Sequence, residues 1–164
     1  MHYILGLDVW QRLGKIFLSQ GKYIVKLLER FGMVDCKCVS TPMELNFKKL
    51  SGSVAGLVLE NFTKYHQLVG ALMFLVNTHP DVFFAVNTLS QHMVEHHHIH
   101  WLGAKNLLRY LRGTINHGMR YTSKSVTLHG YTDSNWAGNV VDHKSTSGCC
   151  FTLGSASISW MSRK

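Results

Sequence analysis

Acidic residues are scarce in this sequence of 164 residues. Nine aspartates and glutamates stand against seventeen lysines and arginines, which gives a formal charge of +8, and no two acidic residues are adjacent. Enzymes that transfer phosphoryl groups with two metal ions roughly 3.5–4 Å apart hold those ions with several carboxylates. The sequence therefore predicts that this chain does not carry out such chemistry alone. The basic surplus favours an anionic partner, most commonly nucleic acid.

Cysteine and long apolar runs are also scarce. The four cysteines form one C-x-C pair (Cys36 and Cys38) and one C-C pair (Cys149 and Cys150). Neither pair has the spacing of a common zinc or redox site, and reduced thiols are typical of intracellular proteins. No stretch has the length of a membrane span, and no basic segment leads into an apolar run. We expect an intracellular location, in cytoplasm or nucleus, without signal peptide, transmembrane segment or membrane partner.

The apolar patterning predicts an α+β fold. Residues 2–10 and 15–19 predict a β-hairpin, and residues 22–31, 64–77, 80–93 and 99–112 predict helices. Residues 43–62 contain little periodicity, which is typical of a linker. After Gly118 the pattern changes to strands, over 126–132, 148–153 and 158–161.

Two of the predicted helices carry basic stripes. The stripes consist of residues three or four positions apart, which share one helix face: Lys22, Lys26 and Arg30 on the first helix, and Lys105, Arg109 and Arg112 on the last. Such a stripe can follow a phosphate backbone, in contacts that are sensitive to salt and independent of sequence. An ordinary solvated face is the alternative, and it stays open here.

Histidines cluster before the last predicted helix, at His92, His96, His97, His98 and His100. Spacings of four would place several of them on one helix face, where a zinc or copper site is conceivable. Only Glu95 offers a nearby carboxylate. We therefore expect an exposed, partly titrating helix start rather than a metal site.

Several sequence blocks resemble the polyproteins of copia-type retrotransposons. They follow one another in the order of that family and cover nearly the whole chain: Y-I-L-G-L-D-V, G-K-I-F-L-S-Q-G-K-Y-I, Y-H-Q-L-V-G-A-L-M-F-L, T-H-P-D-V-F-F-A-V, L-H-G-Y-T-D-S-N-W-A-G and S-I-S-W-M-S-R-K. The resemblance runs from the end of the reverse transcriptase into the RNase H domain.

The resemblance implies a division of the chain. Residues 1–42 correspond to the end of the reverse transcriptase palm and the first thumb helix, 43–62 to a linker, and 63–122 to a helical thumb or connection region. Residues 123–164 correspond to a truncated RNase H-like mixed sheet made of the first three strands. Because so small a piece buries little surface and exposes a strand edge, we expect it to pack on the helical part or on another chain.

The resemblance also implies roles for particular residues. Asp133 stands where the family has the first metal-binding aspartate of RNase H, whose cofactor is Mg²⁺. One or two carboxylates bind Mg²⁺ weakly, so we expect Asp133 to be the remnant of an incomplete site. The six residues of the basic stripes would lie where the family handles a template–primer duplex. The implied partners are RNA–DNA or DNA duplexes, bound weakly, and the remaining parts of the polyprotein.

Three positions depart from the family pattern, and two alternative functions stay open. Asn135 replaces a usual aspartate, and His79 and His143 stand where arginine is common, as expected of a decayed copy and a pseudoenzyme. The first alternative is hydrolysis of RNA–DNA hybrids if the missing parts complement the chain. The second is an effector-like interaction protein, since residues 109–112 match the R-x-L-R tetrapeptide of secreted effectors.

Overall fold

The computed structural model describes residues 2–44, 62–123, 126–135 and 145–163, together with Phe47. This part of the chain is α+β, as predicted. Its strands are β1 (His2–Ile4), β2 (Leu7–Arg12), β3 (Lys15–Ser19), β4 (Gly118–Thr122), β5 (Leu128–Asn135), β6 (Thr146–Leu153) and β7 (Ala156–Arg163). Its helices are α1 (Gly21–Arg30), α2 (Phe62–Leu75), α3 (Phe83–Ser90) and α4 (His98–Gly113).

The first sheet is antiparallel, with the strand order β1-β2-β3-β4. The predicted hairpin is confirmed as β2 and β3, which are joined through Gly14 at a φ of +70°. β1 turns back on β2 within the apolar run that the pattern had predicted as one strand. β4 pairs with β3 from about a hundred residues farther along the chain, in the register Leu18 opposite Met119.

The helices build the core. The predicted helices are confirmed on α1, α2 and α4, whose apolar side chains at helical spacing are buried: Ile24, Leu27, Leu28, Leu68, Leu72, Leu75, Leu107, Leu108 and Leu111. The third helix is shorter than predicted. A 3-10 turn at Pro80–Val82 precedes α3, which ends at Ser90 instead of Met93. None of the described helices has the length and apolar character needed to cross a bilayer.

The second sheet has the order β5-β6-β7. We expected a mixed sheet here, but all pairings among its described strands are antiparallel, because each strand follows its neighbour through a reversal of the chain. Gly154 lies in the turn between β6 and β7, at a φ of +61°. Most of the predicted linker over 43–62 lies outside the described residues.

The second sheet packs on the rest of the molecule, as predicted for residues 123–164. The indole Nε1 of Trp160 donates to the carbonyl of Val76 at 3.2 Å, and the Asn87 side chain donates to the Ser162 carbonyl at 2.9 Å. The Tyr121 hydroxyl on β4 donates to the Ser157 carbonyl at 2.6 Å. These bonds attach β7 to the helical layer and to the first sheet.

Candidate nucleic-acid interface

The predicted basic stripe on α1 lies on the exposed side of the helix, opposite its buried leucines. Lys26 is exposed, whereas Lys22 places its ammonium 3.0 Å from a carboxylate oxygen of the buried Asp8. Arg30, at the end of the helix, donates to the Gln67 side chain at 2.8 Å. The three cations therefore share one face, but Asp8 already balances part of the charge of Lys22.

The predicted stripe on α4 has a different environment. The Arg109 Nε donates to the carbonyl of Lys37 at 2.8 Å, and Arg112 donates to the carbonyl of Val34 and to the Cys38 sulfur. Both arginines thus hold the segment that follows α1 against α4. Lys105 places its ammonium 5.3 Å from the centre of the Trp101 ring.

An aromatic contact brings the two stripes together. The rings of Phe31 and Trp101 lie 6.3 Å apart, where α1 packs on α4. The Arg30 guanidinium lies 5.7 Å from the centre of the Phe31 ring, so Arg30, Phe31, Trp101 and Lys105 form a continuous series, called here the cation–aromatic row. Cations that neutralise phosphates beside aromatic rings are typical of nucleic-acid surfaces.

The two aromatic members of the cation–aromatic row are not among the predicted site residues. A local signal was present for each of them. Trp101 precedes Lys105 by four residues, a spacing that makes helical side chains neighbours, and Phe31 directly follows Arg30. No local signal indicated that Phe31 and Trp101 would meet, because they are seventy residues apart.

Asp133 lies on β5, exposed to solvent and opposite Gly148 of β6. Among the described residues, no three side chains of histidine, cysteine, aspartate or glutamate converge as metal ligands. A two-metal Mg²⁺ site needs more carboxylates than Asp133 alone. The side chains of the described residues that could ligate a metal therefore do not fit the family's metal site. Asp142 and His143 lie outside the described residues.

Within the histidine cluster His98 is exposed, as predicted for the helix start, but two other members are not. His96 and His100 are 0% and 1% exposed. His96 stacks on the Tyr65 ring at 4.4 Å, and His100 stacks on the His92 ring at 3.8 Å. For His96 the prediction was wrong because α2 supplies the Tyr65 ring, which the local sequence does not contain. His100 is buried against His92 of its own cluster. No metal-ligand group forms here among the described side chains.

Burial determines the protonation of these two histidines. Removal from water lowers the pKa of His96, and the neighbouring His66 lowers it further. Burial, followed by the nearby His92 and His97, lowers the pKa of His100 to about 4. The neutral ring of His100 accepts a hydrogen bond at Nδ1 from the backbone N–H of His97, at 2.9 Å, and so helps to begin α4.

Comparison with known proteins finds related sequences but no matching solved structure. No protein-family model matches the chain, and no solved structure matches it. The chain is 42% identical over 167 residues to the retrovirus-related Pol polyprotein from transposon RE1 of Arabidopsis thaliana, an alignment that covers 100% of this chain and 11% of the polyprotein. The chain therefore spans about a tenth of that relative's length.

Two shorter relatives are also similar. The chain is 37% identical over 165 residues to the uncharacterized mitochondrial protein AtMg00810 of Arabidopsis thaliana, covering 100% of this chain and 68% of that protein. It is 42% identical over 102 residues to secreted RxLR effector protein 161 of Plasmopara viticola, covering 61% of this chain and 72% of that protein.

Proposed function

Because the chain belongs to the Pol polyproteins of copia-type retrotransposons, we propose that it is a non-catalytic segment that binds nucleic acid weakly and without sequence preference. In this proposal it runs from the end of the reverse transcriptase into an RNase H-like region, and its partners are RNA–DNA or DNA duplexes and the remaining parts of the polyprotein. The resemblance of the sequence blocks supports this assignment.

The cation–aromatic row is the observation that carries the binding proposal. It places Arg30 and Lys105 at the two ends of one surface, with Lys26 exposed on the same helix as Arg30. Phosphate contacts need only cations at a suitable spacing, so such a surface binds duplexes without reading their bases. The other cations of the two stripes contribute less in this proposal, because Lys22 is paired with Asp8 and the arginines of α4 hold backbone carbonyls.

The first prediction concerns salt. Binding of the purified chain to an RNA–DNA duplex should weaken with rising salt, with a slope of about −0.9 in the logarithm of affinity for each phosphate contact. The double variant Arg30→Gln, Lys105→Gln should make the slope shallower, by the equivalent of about two phosphate contacts. Fluorescence anisotropy over a salt series measures the slope.

Arg163→Gln is the matched control for that measurement, because Arg163 is an exposed cation on β7, in the second sheet. It should leave the slope nearly unchanged. An equal effect of the control and the double variant would contradict a defined interface, and so would binding that salt does not affect.

The absence of catalysis is tested separately. The purified chain should not cleave the RNA strand of an RNA–DNA hybrid in Mg²⁺, because Asp133 lacks converging carboxylates in the described part. Mg²⁺-dependent cleavage that disappears in Asp133→Asn would overturn this. Cleavage that arises only when the following part of the polyprotein is added would favour the alternative of complementation.

An effector-like role is the second candidate, favoured by the R-x-L-R tetrapeptide and by the name of one relative. The geometry argues against recognition of this tetrapeptide, since Leu111 is buried and both arginines hold the segment after α1. If a protein partner binds the folded chain, and this binding is lost in the variant Arg109→Lys, the effector role would be supported over the polyprotein role.

A further inference from the structure

We propose that Cys38 is a thiol-modification site, which forms a mixed disulfide with a small disulfide that carries carboxylates, of the class of oxidised glutathione. The site lies where the segment after α1 crosses the C-terminal half of α4. Its members are Cys38, Arg112, Arg109 and Lys105, called here the thiol site. The proposal concerns covalent chemistry and goes beyond the proposed function, so the reaction can occur whether or not the chain binds duplexes.

The Cys38 side chain is exposed where it lies against the end of α4. Its thiol is free, and Nη1 of Arg112 donates a hydrogen bond to its Sγ at 3.1 Å. Its Cβ lies 3.4 Å from the place that a Cβ would take at Gly113, so a helix residue without a side chain makes room for Cys38. The sulfur is therefore accessible to a reagent and is held beside a guanidinium.

The guanidinium of Arg112 bears on reactivity, because the thiolate is the form of cysteine that attacks a disulfide. Arg112 supplies a positive charge in hydrogen-bond contact with the atom on which the negative charge of a thiolate resides. The hydrogen bond to Cys38 and the charge of that sulfur raise the pKa of Arg112, and the charges of Cys36 and Asp35 add to the rise. The sulfur and the guanidinium thus form an electrostatic pair on the surface.

A cavity of about 380 Å³ opens beside this segment. Its apolar wall includes Met33, Phe47, Ile99 and Leu102. Arg109 lines its polar side and also donates to the carbonyl of Lys37, the residue before Cys38. Along α4 the rise from Arg109 to Arg112 is about 4.5 Å, whereas an extended tripeptide is about 10 Å long. A tripeptide bonded to the Cys38 sulfur can therefore reach into the cavity.

The charges around the cavity match a tripeptide with carboxylates. Lys105 and Arg109 line it together with one carboxylate, that of Glu44. Each half of oxidised glutathione is a tripeptide with two carboxylates and one ammonium group. The two cations can pair with the carboxylates, and Glu44 can pair with the ammonium group. A neutral or a cationic disulfide lacks this complementarity, so the site should distinguish small disulfides by their charge.

The reaction is a thiol–disulfide exchange. The Cys38 thiolate attacks one sulfur of the small disulfide, and the S–S bond of the reagent breaks as the new S–S bond forms. The other half of the reagent leaves as a thiolate and takes up the proton that the Cys38 thiol released to solvent. Cys38 is oxidised and the departing half is reduced, so the small disulfide is the only oxidant that the step needs.

The test measures the initial rate of mixed-disulfide formation at each cysteine of the purified chain. The reagents are oxidised glutathione, neutral hydroxyethyl disulfide and cationic cystamine. Alkylation stops the reaction, and mass spectrometry of the digest assigns each adduct. Cys150 is the internal control, because its sulfur lies 3.5 Å from the neutral hydroxyl of Ser157. With oxidised glutathione, Cys38 should react on the order of tenfold faster than Cys150. At Cys38 the anionic reagent should react faster than the neutral one, and the cationic reagent slowest.

Lys105→Gln separates charge recognition from simple exposure of the thiol. It should slow the reaction of Cys38 with oxidised glutathione severalfold and leave the reaction with hydroxyethyl disulfide unchanged, because only the first reagent carries carboxylates. Lys15→Gln is the matched control, since Lys15 is an exposed lysine on β3 of the first sheet. Cys36→Ser should react at Cys38 as the wild type does, which would assign the chemistry to one thiol of the pair.

Four results would overturn the proposal. The first is equal rates at Cys38 and Cys150 with oxidised glutathione, and the second is a rate at Cys38 that does not depend on the charge of the reagent. The third is an equal effect of Lys15→Gln and Lys105→Gln, which would indicate net charge instead of a site. The fourth needs no variant: if Cys38 keeps its advantage over Cys150 in urea, the local sequence and not the folded contact with Arg112 determines its reactivity.

Discussion

At the scale of single residues, the histidines show that burial depends more on the surrounding structure than on the residue type. His96 and His100 sit in a sequence that is polar and rich in histidine, yet both rings are buried as aromatic packing elements. Neither ring nitrogen of His96 has a hydrogen-bond partner among the described residues. Protonation of such a ring would bury an unpaired charge, which is costly.

The fold should therefore lose stability in mild acid. The pKa of His100 is about 4 when folded against about 6.5 for an exposed histidine, and the pKa of His96 is lowered in the same direction. Between these values the unfolded chain binds more protons than the folded chain, so the free energy of unfolding falls as pH drops below about 6.5, by up to about 1.4 kcal/mol per pH unit and group. This contribution is complete above pH 6.5 and is lost by pH 4.

Urea denaturation at pH 7.5 and pH 5.0 measures this loss. His96→Phe is the informative variant, because a phenyl ring can keep the stack on Tyr65 but cannot take up a proton. It should reduce the difference between the two pH values. A variant with the full wild-type difference would show that His96 does not contribute to the acid sensitivity.

At the scale of elements, α4 combines two roles on two of its faces. Its buried leucines join the core, and its C-terminal arginines hold the segment that leaves α1. A row of cations at helical spacing therefore includes both structural side chains and candidate phosphate ligands. Whether a cation is structural or a candidate phosphate ligand depends on the groups that it contacts. Arg109 and Arg112 contact backbone carbonyls and a thiol.

Loss of these arginines should free the segment around Lys37. The double variant Arg109→Ala, Arg112→Ala removes the donors to the Lys37 and Val34 carbonyls. A lysine-specific protease should then cut after Lys37 severalfold faster than in the wild type, because the segment opens more often. The control is Lys105→Gln, which changes a cation of the same helix that stacks on Trp101. Equal cleavage rates in the double variant and the wild type would contradict the holding role.

At the scale of the whole molecule, the second sheet depends on the first half of the chain. The isolated sheet has three strands, and small sheets need a partner surface for stability. The partner here is the helical layer with β4, through the bonds of Asn87, Trp160 and Tyr121. Several side chains on the described strands of this sheet remain exposed and apolar: Leu128, Phe151, Leu153, Ile158 and Met161. The remaining part of the polyprotein is the partner we propose for them.

Removal of two of these three hydrogen bonds should loosen the second sheet before the helices. In the double variant Tyr121→Phe, Asn87→Ala, each lost bond should cost about 1 kcal/mol. Hydrogen exchange in β5, β6 and β7 should rise more than exchange in α2. Tyr131→Phe removes a hydroxyl from an exposed tyrosine on β5 and should leave exchange unchanged. A uniform rise over all elements would indicate one cooperative unit without separable docking.

The sequence by itself determined most of the elements and the family. Helical spacing of leucines located α1, α2 and α4 to within two residues, because the periodicity of burial is a local property of the chain. Blocks in a fixed order gave the resemblance that the relatives confirm. The cations of the stripes were visible as charges, and their role in binding stays a prediction.

Only the tertiary structure decided which of these residues meet. It joined Phe31 to Trp101, placed Arg120 beside Phe17, and enclosed His96 against Tyr65. It also turned two predicted phosphate ligands, Arg109 and Arg112, toward backbone carbonyls. The physical reason is the same in each case: burial and pairing are set by neighbours that lie tens of residues away, and no local pattern carries their positions.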